Sequence, residues 1–575
     1  MVDGYTRGGI PIPEYWVGEI NRGKAFRKEK AFETKWADWR RYYRGEWKAG
    51  ILPSNIFFKM MRTMVPRIYY RNPSVSLTPT RPGVENMVLT KLMERADNKL
   101  HDIMGTKGQM KRAVQQAIMF GTGGVRLGYG AEFSPTPDDL GTSEPDAGGS
   151  KFAHHVEYND LVHPNMPWLM AAHPGSVIVP VGAPDIHAAR WVCFETWRSA
   201  ADLKADPRFR HTDSLGDGTH AGSGGMLLAK SSGQKSQPGV QLWEIRDKKT
   251  GMVFVMAPNA NDQRSSQQKT LYCETDDLLY NKRLNYYPLI FNMDDEAFWG
   301  IPDSQIMEPQ QIEKNEVRTQ MMYHRRVALA KFLYETGSIA PDELAKLVDG
   351  NIFNGIQVKS INGVKEFNPP AIPPALLQME ADIDRETQEI IGLGVNQFGE
   401  YAPGSADRSA TESQIVNQAT QIRMDERRDA CADLLTDVTS HINHIILEHW
   451  TGDIVLDVMG PEGVPIWIKF QAHELKDALY DIKIDPDTSI PQTRQLREQR
   501  AFALYAQLKQ NPLIDPMQLT RYLTNEIDGV WADSLIKMQN TSPQNPAPLS
   551  AVIQSAGAGG PGGQGGGTPP QLPGT

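Results

Sequence analysis

Residues 409–450 read SATESQIVNQATQIRMDERRDACADLLTDVTSHINHIILEHW, and they decide the architecture. Ser409 and Glu412 form an S-x-x-E capping box, the pattern that starts a helix by satisfying its first free N–H groups. From there to Trp450 no Gly or Pro interrupts the run. The apolar positions Ile415, Ala419, Ile422, Ala430, Leu434, Val438, Ile442 and Ile445 keep a helical 3–4 rhythm. About 40 residues at 1.5 Å each give a rod of ~60 Å, twice the ~30 Å width of a small domain. A rod of that length suits a spoke in an assembly better than the core of an isolated globular enzyme.

Upstream, a loop at 393–410 (LGVNQFGEYAPGSADRSA) follows ALLQMEADIDRETQEIIG at 375–392. Leu376, Ile383 and Ile390 are seven apart, which predicts a second helix with a near-heptad seam. Its charges are Glu380, Asp382, Asp384, Glu386 and Glu389 against Arg385 alone. Further upstream, GIPDSQIMEPQQIEKNEVRTQMMYHRRVALAKFL opens a helix expected to reach about Leu333, with Pro309 as a kink or restart. Its apolar stripe, Ile312, Thr319 and Met322, is thin, which predicts that it leans on another subunit. Between the two helices, 336–374 is mixed, with strand-like GIQVK and VKEFN and a Pro cluster.

The N-terminal part carries opposite charge. Residues 21–72 hold fourteen Lys/Arg against four acids, with Phe26, Phe32, Trp36, Trp39, Tyr42, Tyr43 and Trp47 interleaved at helical spacing. This predicts an amphipathic helix with a basic face that includes Arg40, Arg41, Arg44 and Lys48. That face suits phosphate or an acidic neighbouring subunit, or is simply solvated above an aromatic core. A helical pattern over 87–120 breaks at GTGGVRLGYG. The glycines follow a helix and precede a strand, the reverse of a dinucleotide fingerprint, so they predict a helix cap leading into a strand. Alternating runs at 176–181, 189–197, 240–245 and 252–256 predict short strands, and 133–150 and 213–239 read as surface loops. After the long helix, IVLDVM, IWIKF and YDIKID are strand-like, and helices are expected at 492–510 and 515–539. The uncharged Gly/Pro-rich stretch 541–575 reads as a tail.

The 575 residues carry Lys+Arg 60 against Asp+Glu 69, a formal charge of -9, with 40% hydrophobic residues, which excludes general disorder. Cys193, Cys273 and Cys431 are far apart, so neither a disulfide scaffold nor a cysteine zinc knot is expected. No secretory signal or membrane span is expected either. There is no phosphate loop, HExxH or GxSxG motif. His154–His155 and the His441/His444 pair lack accompanying ligands, so no metal, cofactor or catalytic residue is assigned, and the chain is read as a non-enzyme.

The order of these parts resembles the portal (head-to-tail connector) proteins of tailed bacteriophages. The likeness rests on the basic N-terminal helices, the helix–GTGGVRLGY junction and the DSQ-containing helix start. The acidic return helix, GEYAPGSADRSATESQ and the long helix complete it, over about 24–537. The resemblance implies an α+β subunit of a ring, usually of twelve copies. Residues 1–300 and 451–491 would be the wing, 301–335 and 375–392 the stem helices, and 336–374 the clip. Residues 393–410 would be the tunnel loop, 411–450 the spoke, 492–540 the crown and 541–575 the tail. It implies a virion location at one capsid vertex, after assembly in the host cytoplasm. The implied partners are double-stranded DNA passing without sequence recognition, the terminase large subunit, major capsid or scaffold protein and head-tail adaptors, with no membrane.

A channel that lets DNA slide must not grip its phosphates, because every neutralised phosphate adds binding that each step has to break. The expected channel-lining residues are therefore Glu380, Asp384 and Glu386. The stem basics Lys314, Arg318, Arg325 and Arg326 are expected to bridge to a neighbour's acids or to form local phosphate rings. The tunnel-loop candidates are Asn396, Gln397, Phe398, Glu400 and Tyr401. The rival readings are another oligomeric virion or scaffold protein without a DNA channel, and a metal-dependent nucleic-acid enzyme.

Overall fold

The structure is a computed structural model. It describes residues 6–7, 10–80, 84–130, 166–198, 200–213, 215, 240–257, 270–276, 278–279, 282–327, 331–343, 357–359, 364–367, 373–392, 410–450, 480–484, 494–509 and 523. The chain divides into a large unit, Met1–Pro491, and a second, Gln492–Thr575. Helix and sheet mix throughout the first. Its helices are α1 (Pro13–Lys30), α2 (Trp36–Arg44), α3 (Ile56–Ile68), α4 (Val84–Ile103), α5 (Thr106–Phe120), α6 (Ala200–Ala205), α7 (Asp303–Val327), α8 (Pro374–Ile391) and α9 (Ala410–His449). In the second unit the described helix is α10 (Arg494–Leu508), with Phe502 and Leu504 exposed. The expected strands at 454–459 and 466–470, and the helix at 515–539 apart from position 523, fall outside the described residues, as do the loops and tail apart from a few loop-edge positions.

The strands are β1 (Thr6–Arg7), β2 (Ile10–Pro11), β3 (Val75–Pro79), β4 (Thr122–Tyr129), β5 (Pro167–Ala171), β6 (Val177–Ile178), β7 (Trp191–Arg198), β8 (Val240–Asp247), β9 (Met252–Met256), β10 (Thr270–Thr275), β11 (Tyr286–Ile290), β12 (Lys331–Tyr334), β13 (Val364–Phe367) and β14 (Tyr480–Ile484). They form an antiparallel five-stranded sheet, β10-β9-β8-β7-β6, a three-stranded sheet, β11-β4-β5, and the pairs β1-β2, β12-β13 and β14-β3. The β14–β3 pair aligns Ile484 with Val75 and Tyr480 with Pro79, tying the end of the unit to its beginning.

The glycine-rich junction behaves as its order predicts. Helix α5 stops at Phe120, Gly121 turns with φ 82°, and the chain returns along the helix as β4. The approach is so close that a Cβ on Gly123 would lie 2.0 Å from the Ala113 carbonyl oxygen, and one on Gly121 2.0 Å from that of Gly300. Val125 and Leu127 are thereby buried against α5 and α9 in the main core, with Phe57, Met64, Phe298, Val438 and Ile442. A second core holds α1 on the five-stranded sheet through Trp16, Ile20, Trp191, Trp243 and Phe254. The two sheets are bolted together by Glu244 on β8, whose carboxylate takes Arg126 of β4 at 2.6 Å and Arg246 at 3.0 Å. Burial opposes its charge, but Arg126 and Arg246 together hold it down to about 2.

Three expected helix extents change. The basic 21–72 segment is three helices rather than one, because the left-handed Phe32 (φ 54°) breaks the run and Gly45 (φ 74°) ends α2. The 87–120 pattern is split at Gly105 (φ 59°) into α4 and α5. The 301–335 helix stops at Val327, and Lys331–Tyr334 is a strand, since Tyr334 pairs with Val364 and Lys331 with Phe367. Helix α7 runs through Pro309 without a break in its assigned span.

A Gly123→Ala substitution must force β4 away from α5. It is expected to cost about 2–3 kcal/mol, read as a lower urea midpoint in equilibrium unfolding of the full chain.

Candidate functional site

The two helices α7 and α8 lie against each other, and their contact face sorts the charges predicted to matter. The Lys314 ammonium is buried and ion-paired with Asp384, and Arg318 Nε lies 4.0 Å from Glu380 Oε1. Glu380 and Asp384 are one turn apart and both turn toward α7. Glu386, two residues further on, is on the other side, exposed and without a partner among the described residues. The three carboxylates therefore do not share one face. The acids on the open side are Asp382, Glu386 and Glu389. Arg385 stands between Asp382 at 3.5 Å and Glu389 at 3.8 Å. The cations expected to reach a neighbouring subunit, Lys314 and Arg318, are engaged within the chain. Arg325 and Arg326 are exposed in the last turn of α7, where positive charge complements the helix dipole; Arg326 rests 5.9 Å from the Tyr323 ring.

The seam of α8 also differs from the heptad reading. Ile383 is buried, but the next members are Thr387 and Ile391, while Ile390 is exposed. The true spacing is 4–4 rather than a strict seven, so the stripe rotates by one residue. Thr387 Oγ1 donates to the Ile383 carbonyl at 2.7 Å, which removes its polar cost in that seam.

Helix α7 has a rich contact face of an unexpected kind. Its buried side is polar: Glu308, Gln311 and Asn315, with Thr319 beyond them. Gln311 Oε1 accepts from the Ile56 N–H at 2.7 Å, Asn315 Oδ1 from Ser54 N–H at 2.8 Å, and Thr319 Oγ1 from Leu52 N–H at 3.0 Å. Glu308 takes Trp39 Nε1 at 3.3 Å and Lys35 Nζ at 3.4 Å. The stretch before α3 therefore runs antiparallel along α7, bound by its alternate N–H groups. This polar face holds the N-terminal helices of the same chain, while Ile312 of the thin apolar stripe stands exposed.

The base of α7 is held by α9. Arg427 donates to both carboxylate oxygens of Asp303, at 2.7 and 3.0 Å, and Asn292 Nδ2 donates to Asp303 Oδ1 at 2.9 Å. Beside this pair a polar cavity of about 240 Å³ lies between Met307, Ile391 and Glu426. A larger groove of about 330 Å³ runs between Tyr287, Met293 and Leu434. No motif announced the Asp303–Arg427 pair; the only sequence signal is an acid in the first turn of one helix and an arginine in another.

The basic N-terminal face is partly internal. Arg40 lies over the Phe120 ring at 5.5 Å and meets His173 Nε2 at 3.1 Å, whereas Arg41, Arg44 and Lys48 remain exposed. Arg27 is 1% exposed and donates to the Val177 carbonyl at 2.9 Å. Trp36 and Trp39 are fully buried, so the aromatic stripe is core. Asn396, Gln397, Phe398, Glu400 and Tyr401 lie outside the described residues, as do His154 and His155. His441 faces the Tyr287 hydroxyl at 2.6 Å and burial depresses it to about 4, while His444 lies 3.2 Å from Glu448. Among the described residues no group of three or more His, Cys, Asp or Glu is placed to hold a metal, and no helix is long and apolar enough to cross a membrane.

No family model and no curated protein matches the chain. Among solved structures it is similar to a chain from the virion of a native gene transfer agent particle, with a TM-score of 0.32 and 10% identity, covering 85% of this chain and 93% of that one. It is also similar to a chain from the neck of an empty gene transfer agent particle computed with C6 symmetry. There the TM-score is 0.34 with 11% identity, over 81% of this chain and 89% of that one.

Replacing Gln311 and Asn315 together by Ala would strand the N–H groups of Ile56 and Ser54. At about 1–3 kcal/mol for each unsatisfied buried group, the double variant is expected to lose several-fold more stability than Ile312→Ala. Urea unfolding of the three proteins checks the ranking.

Proposed function

We propose that this chain is the subunit of a ring-shaped head-to-tail connector, a portal-type conduit for double-stranded DNA at a capsid vertex, with a structural rather than a catalytic role. The observation that carries the reading is the sorting of charge on the α7–α8 pair. Its inward cations are neutralised inside the chain, and its open side on α8 presents Asp382, Glu386 and Glu389. Such a face sets three acids against Arg385 alone, so it is net negative and repels phosphate, which is what passage of a polyanion requires. The 40-residue α9 supplies the length to carry this pair on a broader body. In this reading α7 and α8 are the stem, the β12–β13 region the clip that docks a terminase and later adaptors, and α9 the spoke. The α/β body is the wing against capsid or scaffold protein, and α10 belongs to the crown. The lining assignment moves from Glu380 and Asp384, which hold the helix pair together, to Asp382, Glu386 and Glu389.

Native mass spectrometry and negative-stain imaging of purified full-length protein test the ring. Twelve copies of 64.2 kDa, roughly 770 kDa with a central hole, are expected; a species that stays at 64.2 kDa at all concentrations would overturn the reading. The triple substitution D382K/E386K/E389K is expected to leave ring assembly intact and slow DNA packaging several-fold. Packaging at the unaltered rate would remove α8 from the channel wall.

A further inference from the structure

Over its C-terminal half, α9 is fastened to α4 by two polar contacts inside an otherwise apolar interface. In the first, His101 lies between Thr106 and Thr439, each hydroxyl 3.1 Å from one ring nitrogen. The Thr439 hydroxyl donates to the Leu435 carbonyl at 2.7 Å. Thr439 therefore accepts from His101 Nε2–H, and Nδ1 accepts from Thr106. This places a neutral ring in a defined tautomer, consistent with burial depressing His101 to about 4.

The second contact is one turn away on both helices. Asp97 and Asn443 are both enclosed, and Asn443 Nδ2 donates to Asp97 Oδ2 at 3.1 Å. Two oxygens are left over, Asp97 Oδ1 and Asn443 Oδ1, each buried and without a hydrogen-bond partner. Both are acceptors when Asp97 is ionised, so neither can satisfy the other. A buried carboxylate with one hydrogen bond and two stranded oxygens at the same contact is an expensive arrangement. One proton on Oδ1 removes both deficits, because it gives the Asn443 carbonyl its missing donor.

We propose that Asp97 is a neutral carboxylic acid, donating from Oδ1 to Asn443 Oδ1 while accepting from Nδ2, so that a closed acid–amide pair latches α9 onto α4. The titratable neighbours on α4 are Glu94 and His101, while α9 presents the neutral Asn443 and Thr439. Burial raises the Asp97 carboxyl well above its ordinary value, the Asn443 bond opposes this, and Glu94 adds to it. The folded value thus exceeds the unfolded one. The stabilisation is complete below the unfolded value and declines as pH rises toward the folded one. The latch is a positioning device, independent of whether the assembled particle carries DNA.

Asp97→Asn in the full-length protein preserves both hydrogen bonds as an amide–amide pair and abolishes the titration. The wild type is expected to show an infrared C=O band of a protonated carboxyl at neutral pH, absent in D97N. The melting temperature of D97N should exceed that of wild type by a margin that widens as pH rises. His101 titrates in both proteins, so its contribution cancels in that difference. Should D97N fail to accumulate, Asn443→Ala is read instead, and it is expected to shift the same band by removing the carboxyl's acceptor. A spectrum without that band, a band unmoved by either variant, or a pH-independent offset between D97N and wild type overturns the proposal.

Discussion

Two helices of this protein use their side chains to complete the hydrogen bonding of a chain laid along them, and the architecture depends on that match. A helical turn of four residues advances about 6 Å, close to the roughly 6.6 Å between alternate residues of an extended chain. On α7 the rungs are Gln311, Asn315 and Thr319, holding the N–H groups of Ile56, Ser54 and Leu52. On α4 they are Glu94 and Asn98, holding Leu77 N–H at 3.0 Å and Val75 N–H at 3.1 Å. Asn98 Nδ2 also returns a bond to the Val75 carbonyl at 3.0 Å. Each segment would otherwise bury donors with nothing to receive them. The first ladder fixes the N-terminal helices to the helix pair, and the second fixes β3, and with it β14, to α4.

The same economy governs the charges. A chain with a basic N-terminal segment and an acidic return helix suggests two surfaces of opposite sign. Part of each is consumed internally: Lys24 pairs with Glu195, Arg27 with Glu33 at 3.1 Å, and Asp384 with Lys314. What stays outside includes Arg22, Lys28, Arg41, Arg44 and Lys48 of the basic segment and Asp382, Glu386 and Glu389 on α8. Charge counted along the sequence overstates what a partner meets, since pairing inside the chain is set by faces and not by composition.

This explains which parts of the molecule could be read beforehand. The long helix was legible because its apolar rhythm and missing breakers are local properties, and the structure extends it over Ala410–His449. The cap-to-strand turn at Gly121 was legible because the order of helix, glycines and strand is itself local. The polar face of α7 was not, because Gln311, Asn315 and Thr319 look like solvent residues until an unpaired backbone is brought beside them. Glu380, Asp384 and Glu386 were grouped by charge, and only the position of α7 separates the first two from the third. Ile390 and Ile391 are adjacent, so the choice of which one is buried rests on a rotation of about 100°, which packing decides and spacing does not.

The division of labour on α8 follows from that rotation. A helix that must both hold a partner helix and offer a phosphate-repelling surface has to place its acids on two faces. Glu380 and Asp384 at a four-residue interval meet Arg318 and Lys314, and the remaining acids fall outside by default. Placing every acid on one side would leave Lys314, which is buried, without a counter-charge, and an unpaired buried ammonium is the costlier fault. The acidity of the outward face and the stability of the pair are thus consequences of one sequence pattern. A substitution at Asp384 acts first on the helix pair and only then on anything that passes beside it.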